Sequence, residues 1–313
     1  MVAGKICGRS RIGTSNLENS VRCLVPAGDK CGEGALWSAD ENAVYWVDIN
    51  RFLIHRFDLA PASLQSWFFD EPVVALSLTT KPDQMLVALA SKLVNWWPAT
   101  DQRADFGFAL PGYPQVRFND GRSDPAGNFW VGSMKNNVHA DGELGEAGPS
   151  EGVLFRVDPK GGVTEWRQGL GISNTLCWSP DARRFYFGDT LENEIRVYDY
   201  DKASGDISNE RPFLTGFDRG FPDGSAIDSA GYLWNCRFCG GCIVRIAPDG
   251  RVDRVVEMPV QNVTTCTFGG ADLKTLFITT ASIVSPPGSR LAGSLFALQV
   301  EVPGMAENKF RVA

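Results

Sequence analysis

At 313 residues the chain is long enough to bury a substantial core, as one large domain or two average ones. A hydrophobic content of 43% with 21% charged residues is ordinary globular composition, and a formal charge of −7 argues against nucleic acid as a partner, since that binding rests on clustered Lys and Arg. The 33 Gly, 18 Pro, 19 Phe and 9 Trp supply turn formers and strand-favouring aromatics, so an all-β chain of many short strands is expected.

In chain order, Met1 to Ser20 carries basic residues but lacks the apolar centre of a secretory signal, and it reads as a disordered extension over 1–20. A single domain is expected over 21–300, followed by a C-terminal tail over 301–313. No apolar run approaches the roughly 20 residues that span a bilayer, so no membrane partner is expected. Eight Cys without a disulfide-scaffold spacing suit a reducing cytoplasm.

A repeat emerges from the turns. Asp124-Pro125-Ala126-Gly127 precedes the strand pattern Asn128 to Gly132, and Asp228-Ser229-Ala230-Gly231 precedes Tyr232 to Asn235. Ser38-Ala39-Asp40-Glu41 and Ser179-Pro180-Asp181-Ala182 precede similar runs. Weaker copies start at Thr79 and Gly269, which makes six units spaced roughly 40 to 55 residues apart. Each unit continues into further alternating strands, such as Ile54 to Asp58 and Ile195 to Asp199. This is the pattern of four-stranded blades in a six-bladed β-propeller. Val21 to Val25 is expected to pair with the last blade and close the ring, because closure removes exposed edges. The longest departure from the period, Asn136 to Glu151, is a polar loop that reads either as a lid or as a solvated hairpin extension.

Registering the units exposes candidate site residues. Five positions ahead of each turn stand Glu33, Asn119, Asn174 and Asp223, with Val74 and Thr264 in the two weaker units. Equivalent positions on first strands form a ring around a propeller's central channel. Two carboxylates and two amides offer only oxygen donors, which suits Ca²⁺, Mg²⁺ or Mn²⁺, with Zn²⁺ or Fe²⁺ also compatible if waters complete the shell. The spacing alone leaves a second reading open, in which these side chains are local turn caps.

Other chemistries fit less well. The two His, His55 in an outer strand and His139 in the long loop, are not placed for a Ser-His-Asp triad, and a three-His zinc site is impossible by count. Cys236, Cys239 and Cys242 straddle a Gly-Gly turn, so their side chains diverge and the run reads as structural.

At Cys31-Gly32-Glu33-Gly34-Ala35-Leu36-Trp37, Arg117-Phe118-Asn119-Asp120-Gly121-Arg122, Ile172-Ser173-Asn174 ahead of Trp178-Ser179-Pro180-Asp181, and Pro222-Asp223-Gly224, the chain resembles the gluconolactonase and senescence-marker-protein (regucalcin) family. The motifs run in the family's order and cover nearly the whole chain outside its ends. The resemblance implies a six-bladed propeller with one divalent metal in its channel, held by Glu33, Asn174 and Asp223. It implies a sugar lactone as substrate, hydrolysed to the aldonic acid with its carbonyl polarised by the metal and the attacking water activated by Asp223. Asn119 and Arg117 would hold the substrate, and Asp120 its own turn. Some members carry a carboxylate shortly after the Gly-Ser/Thr-Met strand end, where this chain has Lys135-Asn136-Asn137, so Asn137 becomes the substrate-binding candidate there. Rival readings keep the site but change the substrate to an organophosphate or another activated ester, or make the propeller a non-catalytic scaffold.

Overall fold

A computed structural model describes residues 20–312, so the extension expected over 1–20 lies almost entirely outside the described residues. The described chain is all-β, with six antiparallel four-stranded sheets. Strand β1 (Arg22–Val25) precedes blade one, which comprises β2 (Gly32–Ser38), β3 (Ala43–Asp48), β4 (Leu53–Leu59) and β5 (Ala62–Phe68). Blade two is β6 (Val73–Leu78), β7 (Met85–Leu89), β8 (Lys92–Trp97) and β9 (Gln102–Ala109). Blade three is β10 (Val116–Ser123), β11 (Phe129–Lys135), β12 (Gly152–Val157) and β13 (Val163–Leu170). Blade four is β14 (Ser173–Trp178), β15 (Arg184–Asp189), β16 (Glu194–Asp201) and β17 (Asp206–Leu214). Blade five is β18 (Phe221–Ile227), β19 (Leu233–Phe238), β20 (Cys242–Ile246) and β21 (Val252–Glu257). Blade six joins β22 (Val263–Gly269), β23 (Thr275–Thr280) and β24 (Leu295–Gln299) to β1, which pairs antiparallel with β24 and closes the ring as expected.

The repeated turn has a physical cause. Asp124 Oδ1 accepts the N–H groups of Ala126 and Asn128, while its Oδ2 accepts from Asn128 Nδ2 and from the indole Nε1 of Trp130. Asp228 does the same with Ala230, Tyr232 and Trp234. The glycine ending each turn, Gly127 or Gly231, sits at positive φ, where a side chain would be strained. One aspartate therefore fixes both the turn and the tryptophan that fills the next interface, where Trp130 packs on Trp178 and Phe185 of the following blade. Asp124→Ala strands several buried donors and is expected to destabilise the fold by about 3 kcal/mol. Equilibrium urea unfolding measures this, and an unchanged midpoint would refute the role.

The C-terminal segment expected as a tail packs against the propeller. It runs under the turn ends of the first strands, with Ser229 N–H donating to Pro303 O, Gly304 N–H to Leu273 O and Phe310 N–H to Leu78 O. Phe310 is 1% exposed and meets Phe106 edge-on. These bonds give the segment backbone partners in several blades, so the folded unit extends past residue 300.

Candidate active site

The innermost strands β2, β6, β10, β14, β18 and β22 neighbour one another around the axis. Every one of them breaks register with its partner near its entry end, as between Glu33 and Leu36, Phe118 and Gly121, Asn174 and Cys177, and Pro222 and Ser225. A bulge of this kind re-aims the adjacent side chain. The residues at these bulges lie within the strands, not in the loops ahead of them, because the pairing starts earlier than the sequence pattern indicates. Gly34 meets the bulge's positive φ with no side chain, whereas Thr175 adopts φ 57 as a β-branched residue. The threonine is held there by its hydroxyl, which bonds to the Asp223 carbonyl and to Ser225 Oγ. Asn235 Nδ2 donates to the same Asp223 carbonyl at 3.1 Å, so the backbone bearing that carboxylate is clamped from two sides.

All six sequence-predicted site residues line one cavity of about 260 Å³: Glu33, Arg117, Asn119, Asn137, Asn174 and Asp223. Five come from the first strands of four different blades, Arg117 and Asn119 sharing β10. The equivalent Val74 and Thr264 are buried and lie outside it, Thr264 Oγ1 bonding to the Gly32 carbonyl instead. Asn119 Nδ2 donates to Ser173 O at 2.9 Å, and Asn119 Oδ1 accepts from Arg117 Nη1 at 2.8 Å. Arg117 Nε and Nη2 donate to Asn137 Oδ1 at 3.1 and 2.8 Å, so the amide that follows β11 fixes the guanidinium. Burial lowers the Arg117 pKa to about 10. Asn174 Nδ2 donates to Thr190 Oγ1 at 2.8 Å, and that hydroxyl donates onward to Pro222 O. Asp120 accepts from Gly121 N–H within the β10 bulge rather than at a turn, and it does not line this cavity.

Glu33 and Asp223 are 8% and 7% exposed, and neither has an ion-pair partner among the described residues. Burial and the Asp223 and Asp120 charges push the Glu33 carboxyl well above the usual carboxylate range. Burial and the Asp120 charge do the same to Asp223. Two apposed, buried carboxylates without a cation are an electrostatic deficit. Asn174 Oδ1 adds a third oxygen, since its one contact is a long 3.4 Å from Asn119 Nδ2. This all-oxygen set fits a hard divalent cation completed by water. It remains sparse, because among the described residues no three His, Cys, Asp or Glu side chains cluster.

Several cavity residues carry no polar signal at the five-residue register. Ile49, Met134, Thr190 and Phe238 line the cavity, each directly after or at the end of the second strand of its blade. The same alignment carried one strand outward would have found them. Asp48 and Asp189, at equivalent ends of β3 and β15, accept the N–H groups of Cys31 and Ile172, and so fix the loops that lead into Glu33 and Asn174. Cys31 also lines the cavity. The loop over Asn136–Glu151 folds across its rim. Val138 pairs with Leu144, Asn50 Nδ2 donates to Gly142 O at 2.9 Å, and Lys30 bridges Glu143 at 2.6 Å. Its residues Val138, Leu144, Gly145 and Ala147 are cavity wall, the lid position of the two alternatives. The Cys236, Cys239 and Cys242 run spans strand, turn and strand, with Cys239 exposed and the other two buried and unbridged.

The profile of the SMP-30/gluconolactonase/LRE-like region matches residues 31–282. A pentonolactonase of Haloferax volcanii is 33% identical over 301 residues, covering 92% of this chain and 97% of its own. A 6-deoxy-6-sulfogluconolactonase of Pseudomonas putida is 33% identical, with coverage of 94% and 99%. Among solved structures, a calcium-binding regucalcin from Agrobacterium tumefaciens superposes with a TM-score of 0.86 at 27% identity, covering 94% of this chain and 98% of that one.

Proposed function

From the premise that this chain belongs to the SMP-30/gluconolactonase/LRE-like family, we propose that it is a divalent-cation-dependent lactonase that opens a small sugar lactone to its aldonic acid. One observation carries the reading: Glu33, Asn119, Asn174 and Asp223 converge from four blades on a single cavity that also holds Arg117 and Asn137. Glu33, Asn174 and Asp223 would hold the cation, and their oxygen donors admit Ca²⁺, Mg²⁺, Mn²⁺, Zn²⁺ or Fe²⁺. When bound, it supplies positive charge where the carbonyl oxygen becomes anionic.

The remaining work falls to the chain's own groups. Asp223, with its backbone clamped by Thr175 and Asn235, presents a carboxylate that takes the proton of the attacking water. Among the described residues Glu33 accepts the N–H of Gly34 and stands against Asp223, and its role would be that of a ligand. The amide of Asn119 and the guanidinium of Arg117 orient the ring through its oxygens, and Asn137 keeps the guanidinium in place. The free thiols at all seven described cysteines accord with work in a reducing compartment such as the cytoplasm.

The test strips the protein with chelator, then follows acid release from a panel of aldonolactones, with phosphotriesters in parallel, as each cation is restored. Lactone turnover that appears only with cation is expected. Phosphotriester turnover without lactone turnover would move the substrate to the rival class, and indifference to cation would sink the mechanism.

A further inference from the structure

Resting on the lactonase reading, we infer that the substrate is apolar at the end remote from its carbonyl: a deoxy, methyl-terminated aldonolactone is preferred over a hydroxymethyl-terminated or anionic one. The cavity is two-faced. Its floor is the polar set already described, and its wall and rim are Ile49, Val138, Leu144, Ile172, Phe238 and Val284. Leu144 and Val284 stand 40% and 64% exposed at the mouth, whereas Ile49 and Val138 are buried. Apolar surface held at the edge of a polar site is the signature of a contact completed by a ligand.

The wall is preformed. Gly142 O is held by Asn50 Nδ2, Glu143 by Lys30, and Gly145 N–H donates to Asn137 O at 2.7 Å. Lys30 is thereby engaged at the rim, and among the described residues lining the cavity Arg117 is the one cation. Its Nε, Nη1 and Nη2 are all bonded, to Asn137, Asn119 and the Phe118 carbonyl. With Arg117 tied to these partners and turned to the ring oxygens, no second cation among the described residues lining the cavity remains for a terminal phosphate, sulfonate or carboxylate. A terminal hydroxyl laid against the isoleucine, valine and leucine wall would lose its water and gain no partner, whereas a methyl group gains contact. At about 260 Å³ the cavity falls just below the ~300–1,000 Å³ of drug-sized sites, which suits one ring with a short substituent.

The experiment measures kcat/KM of the cation-loaded protein on lactone pairs of matched configuration that differ only at the terminal carbon. Suitable pairs are L-rhamnono- against L-mannono-γ-lactone and D-fucono- against D-galactono-γ-lactone, with a terminally phosphorylated aldonolactone as the anionic arm. The deoxy member of the better pair is expected to lead by roughly 10-fold or more, the range one methyl or hydroxyl commands in such a pocket, with the phosphorylated compound slowest. Leu144→Asn should shrink the ratio toward one by slowing the deoxy member. Equal rates within every pair, a lead for the hydroxymethyl members, or a ratio that Leu144→Asn leaves unchanged would overturn the inference while leaving the lactonase reading intact. Hydrolysis of no lactone at all would overturn both.

Discussion

Replacing Asp223 by asparagine is expected to leave the fold intact and to cut lactone kcat/KM by about 10²–10⁴-fold, the range a positioned general base contributes. The isostere keeps the shape of the side chain and one oxygen donor, and the clamp from Thr175 and Asn235 acts on the Asp223 carbonyl, which the substitution does not touch. The thermal midpoint should therefore hold or rise, since the change removes one of two apposed buried carboxylates. Kinetics at saturating cation, with cation occupancy measured on the same sample, separate the two duties of the residue. Turnover near the unsubstituted rate in a fully loaded variant would take the base role away from Asp223.

The second large effect concerns the cation itself. In the cation-free protein Glu33 and Asp223 both hold their protons above the usual carboxylate range, so the folded chain binds more protons than the unfolded one. Stability then falls as pH rises from the ordinary carboxylate values, 4.5 and 3.8, up through the raised folded values. A bound cation reverses that deficit by favouring the ionised pair. Cation at about 100 times its dissociation constant should add about 2.7 kcal/mol, a rise of about 5 °C in midpoint. The rise should be larger at neutral pH than at pH near 4.5, because protons compete with the cation for the same oxygens. Calorimetry with and without chelator across that interval provides the check, and a stabilisation independent of pH would place the cation elsewhere.

The fold was legible because one residue type did two jobs. Asp124 and Asp228 cap a turn and anchor a tryptophan, which puts the same letters at the same spacing in blades three and five. The same register located Glu33, Asn119, Asn174 and Asp223, since every first strand bulges near its entry end. Thr190, which holds Asn174, was missed because the register was followed along the first strands only, and it stands directly after the second strand of its blade. The apolar rim was hidden for a related reason: Leu144 and Val284 sit in irregular segments where hydrophobicity has no period to read. The packed C-terminal segment escaped because Phe310 is a lone aromatic in a polar stretch, and only the ring beneath supplies its partners.

The pairing of β1 with β24 also sets a constraint on how the chain is made. Arg22 finds Ala297 as its partner only after the chain has been made through blades one to five and most of blade six. Until then blade six lacks its outer strand, and β24 and β1 each offer an unpaired edge to other nascent chains. Contacts so distant in sequence slow the search for the native ring, so yield during synthesis depends on how long that last seam stays open.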